Sequence, residues 1–181
     1  AYRSASWTSE PRSGQHKTVS LFAGCGGLDL GFAGGFKYRG TTYPEQRFDI
    51  ATAIDYSADA VQAYHLNLGS HAVQADLAKM PADQIVAADV LLGGFPCQSF
   101  SSSGRKDGFA DERGELYRVL VRYMRHHRPK IVVGENVPHL ARLNGGVYLK
   151  KILEEFEAEG YRFDVWTLYA PDYGISQSRR R

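Results

Sequence analysis

The stretch DVLLGGFPCQSFSSS, residues 89–103, constrains the fold more than any other part of the sequence. Its apolar run Val90-Leu91-Leu92 ends in Gly93-Gly94, which reads as a buried strand running out into a loop that presents Pro96, Cys97 and Gln98. Open α/β sheets place their chemistry at such strand ends. A free cysteine is most often a buried structural residue. Here, however, Pro96 fixes the backbone on one side of Cys97, and the polar residues Gln98, Ser99, Ser101, Ser102 and Ser103 follow on the other. That setting favours a partly exposed, reactive thiol facing a wet cleft.

The elements before it repeat the pattern of a short strand closed by glycine or a carboxylate. Residues 18–23 read as a first strand, followed by Gly24-Cys25-Gly26-Gly27 and the helical spacing of Leu28, Leu30 and Phe32. Glycines let the backbone approach a ligand closely and a helix start offers free N–H groups, so the element suits a nucleotide. Asp29 stands where the third glycine of G-x-G-x-x-G belongs, which departs from the dinucleotide fingerprint. After a polar, turn-rich insertion at 37–46, residues 48–54 read as a second strand ending in Asp55-Tyr56. Asp55 is placed to accept hydrogen bonds from ribose hydroxyls and Tyr56 to stack on adenine. Equally, Asp55 and Ser57 both precede the helical pattern Ala60, Val61, Ala63, Tyr64, Leu66 and suit a helix cap. Residues 72–75 give a short third strand closed by Asp76, a second carboxylate on the same sheet edge and a candidate for an adenine amino group.

Downstream, residues 104–114 combine glycine with charge, as lids beside reactive residues do. A helix is expected over 115–127 from Leu116, Leu120, Val121 and Met124, with Arg118, Arg122 and Arg125 on a solvated face. Ile131-Val132-Val133 reads as a strand with Glu135 at its end, in the same crevice as Cys97, where a carboxyl group suits proton donation to a base nitrogen; the plainer reading is a turn cap. A further helix is expected over 146–159 and a further strand over 163–169. Residues 1–17 are polar and aperiodic, a mobile arm before one domain at 18–181. A net charge of +2 is too small to imply nucleic acid by itself, and 43% hydrophobic with 23% charged residues argues against disorder and a membrane span. Two cysteines without a signal-peptide pattern or a zinc-like His/Cys spacing point to a reducing, intracellular setting and metal-free chemistry.

In chain order, FAGCGG (22–27), Asp55-Tyr56, Asp76, GFPCQSFS (94–101), RGELY (113–117), ENV (135–137) and QSRRR (177–181) resemble the cytosine-C5 DNA methyltransferases, from about residue 18 to the last. The resemblance implies an α/β Rossmann-like sheet of the S-adenosylmethionine-dependent methyltransferase kind and a target cytosine flipped out of double-stranded DNA. By resemblance Cys97 adds to C6 of the base, Glu135 takes N3 and the 4-amino group, Arg181 takes O2, and Arg179 supports the loop or the base. S-adenosylmethionine, leaving as S-adenosylhomocysteine, is expected against Phe22, Ala23, Gly24, Cys25, Gly26, Gly27 and Leu28. Asp55, Tyr56, Asp76, Leu77, Pro96 and Leu116 would complete that site. Gln98, Ser99, Ser101, Asn136 and Gln177 fall to the substrate or the loop that closes over it. The setting implied is cytoplasm or nucleoid in bacteria, as in restriction-modification, or the nucleus in eukaryotes.

Family members continue past the arginine motif into more sheet, a target-recognition domain and a returning segment. The chain is therefore expected to be the catalytic portion, its sheet incomplete at the C-terminus, with the remainder on the same or a second chain as a partner. The residues leave open an RNA cytosine-C5 methyltransferase on the same scaffold and a non-catalytic regulatory homologue.

Overall fold

The structure, a computed structural model, describes residues 14–96 and 116–181. Most of the expected arm, Cys97, Gln98, Ser99, Ser101 and the expected lid lie outside the described residues. The chain divides into two compact units, Ala1–Gly94 with His126–Gly134, and Phe95–Arg125 with Glu135–Arg181.

The first unit runs β1 (His16–Leu21), α1 (Gly27–Ala33), β2 (Phe36–Tyr38), β3 (Thr41–Tyr43), β4 (Phe48–Asp55), α2 (Ala58–Asn67), β5 (Ala72–Gln74) and β6 (Val90–Gly93). It takes in the end of α3 (Arg118–His127) and closes with β7 (Ile131–Gly134). Five strands form a parallel sheet in the order β5-β4-β1-β6-β7 among the described residues. β6 is buried along its whole length and β1 over its last four residues, as strands covered on both faces are, which is why neither alternates. The strand order reverses between β1 and β6, and Leu21 lies opposite both Ile54 and Gly93, so the strand ends are level at the switch point.

β1 starts two residues inside the stretch expected as an arm and stops at Leu21, because Phe22 turns the chain at φ 58°. The insertion at 37–46, expected only as polar turn, holds most of an antiparallel hairpin of β2 and β3. Its turn residues Arg39 and Gly40 both have positive φ, at 48° and 83°, the geometry whose twist matches a hairpin. The Phe36 and Tyr43 rings stack across it at 4.7 Å.

The core of this unit joins Ile50, Ala53, Val61, Tyr64, Ala72, Val90 and Leu92. Beside it lies a polar network. Asp29, 1% exposed, accepts hydrogen bonds from Ser20 Oγ at 2.6 Å and Tyr64 Oη at 2.8 Å, and Tyr64 Oη lies 2.9 Å from His71 Nε2. Burial raises the Asp29 carboxyl and Tyr64 phenol above their ordinary values; burial and then the charge of His65 press His71 down to about 4.

A depressed histidine stabilises the fold above its unfolded value of 6.5, and that stability is lost as pH falls through about 4. Asp29 has the opposite sign, favouring the fold on acidification through its raised value, so only a difference against wild type isolates the histidine. Denaturant titrations between pH 7 and 4 should show His71→Gln losing about 2 kcal/mol less than wild type over that span. Parallel curves for the two proteins would contradict this.

The second unit contains most of α3 and all of α4 (Val147–Ala158). Tyr117 Oη and the Arg118 guanidinium converge on Glu155, at 2.7 Å and 3.0 Å, and Arg125 reaches Glu159 Oε1 at 2.6 Å. Two of the arginines expected on a solvated face thus tie α3 to α4. The rings of Phe95, Tyr117, Phe156 and Phe163 follow one another at 6.4, 6.4 and 5.0 Å.

The strand expected over 163–169 is absent. That stretch leaves Val165, Trp166 and Leu168 exposed and makes one isolated antiparallel bridge, Tyr169 to Arg180. A high β propensity gives a strand only where a neighbour supplies the ladder. Among the described residues the backbone partners here come from 179–181, with Leu168 and Arg181 exchanging both N–H···O bonds at 2.7 and 2.9 Å.

Candidate functional site

In the first unit the chain leaves β1 through a strained turn. Phe22, Gly24 and Gly26 have φ of 58°, 57° and 86°. Neighbouring strands hold it, with Ala23 N–H donating to Ile54 O at 3.1 Å and Gly24 N–H to Asp55 Oδ2 at 2.8 Å. The other Asp55 oxygen accepts from Ser57 N–H at 2.9 Å, and Ser57 Oγ, not Asp55, caps α2 by accepting from Ala60 N–H. Of the two roles open to Asp55, the helix cap belongs to its neighbour. Each carboxylate oxygen retains acceptor capacity for a ligand hydroxyl.

Beyond Asp55 lies an open cleft of about 580 Å³ lined by Tyr56, Ser57, Ala58, Gln74, Ala75 and Asp76. Tyr56 is 74% exposed, a ring with room to stack on a base. Asp76 pairs with Lys79 at 2.9 Å and accepts from Ala78 N–H; the Lys79 hydrogen bond draws its carboxyl below the ordinary value. Gln74, not singled out in the sequence, donates to Tyr56 O at 3.3 Å and fixes one cleft wall to the other. The available signal was its place at the end of β5, two residues before Asp76. Around the turn, Cys25 and Gly27 are exposed and Leu28 is half-buried. Leu77, expected against the cofactor, is 3% exposed, so its side chain offers a ligand little surface.

The second unit brings together residues far apart in sequence. Arg181 Nε lies 2.7 Å from Glu135 Oε1, with the two side chains 28% and 38% exposed. The Arg181 backbone is locked by its paired bonds to Leu168, so the guanidinium is carried by a fixed main chain. Glu135 follows directly on the end of β7, where it was expected, and is half-exposed and ion-paired. Asn136 donates from Nδ2 to Phe95 O at 2.8 Å and accepts Val137 N–H at 2.8 Å. The ENV segment is thereby fixed to the backbone just ahead of Pro96, which is half-buried.

Arg179 and Gln177 are exposed, and Arg179 O accepts from Ala170 N–H. Arg180, which sequence reasoning passed over, lies 4.3 Å above the Tyr169 ring. Neighbouring side chains of an extended segment point to opposite sides, so Arg180 is turned away from the side that Arg179 and Arg181 share. Leu116 is half-buried in the turn entering α3, where its carbonyl accepts from Val119 N–H. No cluster of three or more His, Cys, Asp or Glu placed to hold a metal, and no helix long and apolar enough to cross a membrane, occurs among the described residues.

Residues 16–181 match the family model described as C-5 cytosine-specific DNA methylase. The Type II methyltransferase M.NgoFVII of Neisseria gonorrhoeae is 34% identical over 171 residues, which is 93% of this chain and 43% of that protein. M.NlaX of Neisseria lactamica, also a Type II methyltransferase, is 37% identical over 169 residues, or 91% of this chain and 50% of its own length. The chain thus spans half or less of these relatives. Among solved structures, the methyltransferase EhMeth of Entamoeba histolytica superposes with a TM-score of 0.72 at 18% identity, covering 92% of this chain and 51% of that one. The Dnmt2 methyltransferase of Schizosaccharomyces pombe gives 0.66 at 22%, over 92% and 49%. These two likenesses establish the fold, the α/β Rossmann-like arrangement of S-adenosylmethionine-dependent methyltransferases that the motif resemblance implied. With the family match spanning nearly all its residues, the chain belongs to the C-5 cytosine-specific DNA methylase family.

Proposed function

We propose that the protein transfers a methyl group from S-adenosylmethionine to C5 of a cytosine flipped out of double-stranded DNA. The observation that carries this reading is the meeting of Glu135 and Arg181, an acid and a cation at 2.7 Å with half-exposed side chains. A cytosine attacked at C6 builds negative charge toward N3 and O2, which calls for such a pair.

The cofactor fits the residues of the first unit. Cβ atoms built at Gly24 and Gly27 meet nothing within 4 Å, so the turn presents bare backbone, and the neighbouring cleft offers a ring at Tyr56 and an acceptor at Asp76. Asp55 would take the ribose hydroxyls, Tyr56 and Asp76 the adenine, and the 22–28 turn the remainder. When bound, the cofactor supplies an electrophilic methyl group.

The chain's own residues do the rest. The Cys97 thiolate forms a C–S bond to C6, and the displaced ring electrons reach C5, which then takes the methyl group. Glu135 holds N3 and the 4-amino group, and Arg181 holds O2, while charge accumulates there. Loss of the C5 proton to a base or water returns the electrons, breaks the C–S bond and frees the thiolate. Asn136 keeps the Phe95-Pro96 backbone in place ahead of the nucleophile. Because C6 is shielded in a stacked base, the nucleotide must rotate out, at a cost of a few kcal/mol. Gln98, Ser99, Ser101, Gln177 and Arg179 are proposed to hold the strand around it, and residues 99–113 to close behind it.

The test is transfer of labelled methyl groups to a random-sequence duplex, followed by digestion to nucleosides. Label in 5-methyldeoxycytidine is expected. Label on adenine, on the cytosine amino group or only on RNA would overturn the proposal.

A second measurement addresses Asp55. Asp55→Ala removes the acceptor for two backbone N–H groups and two ribose hydroxyls, and should weaken S-adenosylmethionine by about 1 to 3 kcal/mol in calorimetry. Asp55→Asn, which keeps one acceptor oxygen, should lose less. Unchanged affinity in Asp55→Ala would reduce Asp55 to a turn-holding residue.

A further inference from the structure

We infer that Ser20, Asp29 and Tyr64 are positioning residues for the cofactor, acting through the glycine turn without touching the ligand. The inference rests on the cofactor reading above and extends it to residues that reading does not use. Ser20 lies one residue before the end of β1 on one side of the turn, and Asp29 lies in α1 on the other. Their 2.6 Å hydrogen bond, both partners buried, therefore closes the loop that contains residues 22–28. Tyr64 approaches from α2. Its ring lies directly under Gly26, where an added Cβ would come within 2.7 and 2.8 Å of two ring carbons, and its hydroxyl is tied to Asp29 and His71.

The network thus fixes both the span of the turn and the surface on which it rests. A loop fixed before binding loses less entropy when the ligand arrives, so these bonds should appear in affinity. With Asp29 ionised, its carboxylate accepts from both hydroxyls, and Tyr64, having donated its proton, accepts from Nε2–H of His71. An asparagine at 29 preserves the hydrogen bonds: Oδ1 accepts from Ser20, Nδ2 donates to Tyr64, and Tyr64 donates to the other tautomer of His71. An alanine preserves none.

The test compares Asp29→Ala, Asp29→Asn, Ser20→Ala and Tyr64→Phe in the protein, at a temperature where circular dichroism shows each folded. Asp29→Ala and Ser20→Ala should weaken S-adenosylmethionine by about 10-fold, with the maximal methyl-transfer rate at saturating cofactor little changed; Asp29→Asn should recover to within about 3-fold. Tyr64→Phe keeps the ring under Gly26 and serves should Asp29→Ala not fold. In ligand-free protein it should speed amide hydrogen exchange at Gly26 and Leu30 while protection in β6 stays unchanged. Unchanged affinity in folded Asp29→Ala and Ser20→Ala, no rescue by asparagine, or exchange that rises equally throughout the sheet would each overturn the inference. If wild type binds no S-adenosylmethionine, the proposed function fails, whereas the exchange measurement still tests the network.

Discussion

Replacing Gly26 with alanine should cost the fold about 3 kcal/mol or more, the sum of a left-handed non-glycine residue and an overpacked contact. The residue sits at φ 86°, and a Cβ there would fall 2.1 Å from a Leu68 methyl and 2.7 Å from the Tyr64 ring. The leucine methyl is a flexible end that can swing aside. The tyrosine cannot, because its hydroxyl is bonded to Asp29, so relief must come from moving the turn itself. Cofactor affinity should fall with stability. Gly24 provides the control: its φ of 57° is also left-handed but nothing lies within 4 Å, so Gly24→Ala should cost the fold only about 1 to 2 kcal/mol. Denaturant unfolding of the two variants checks this, and equal losses would show that the contact with Tyr64 carries no weight.

The second large effect concerns the Glu135–Arg181 pair. Glu135→Ala and Arg181→Ala should each lower the methyl-transfer rate at saturating cofactor by about 100- to 1000-fold, the usual cost of removing one charge-stabilising group from a transition state. Because the two side chains bond to each other and are proposed to serve one base, the double variant should lose much less than the product of the single losses. Cofactor affinity, proposed to rest mainly on the 22–28 turn, Asp55, Tyr56 and Asp76, should stay unchanged in all three. Single-turnover rates with calorimetry separate these outcomes; fully multiplicative losses would mean that the two residues act on different steps.

Much of this was legible in the sequence because strand ends carry their own punctuation. The strands came from apolar runs closed by Gly24, Asp55, Asp76 and Gly94, and the fold class followed from the family resemblance that the ordered motifs carry. Apart from one local turn, what escaped depended on partners distant in the chain. Residues 163–169 have the composition of a strand, yet a strand is made by its neighbour, and among the described residues only 179–181 pair with them. The hairpin after α1 was hidden because its turn places Arg39, not asparagine, at positive φ. Asp29 registered only as a departure from a dinucleotide fingerprint, and nothing local shows that a carboxylate will be buried against Ser20 and Tyr64. Likewise, Arg118 looked solvated because Glu155 lies far along the chain.

The most direct test of the account uses a random-sequence duplex in which 5-fluorodeoxycytidine replaces cytosine, incubated with the protein and S-adenosylmethionine. Fluorine at C5 cannot leave as a cation, so elimination is blocked once the thiolate has added and the methyl group has transferred. Denaturing electrophoresis should show a protein–DNA adduct, and mass spectrometry of its peptides should place a methylated fluorocytosine on Cys97. The adduct should be absent in Cys97→Ser, which should also lose methyl transfer to ordinary DNA by more than about 1000-fold. An adduct on another residue, or substantial methyl transfer by Cys97→Ser, would contradict the account.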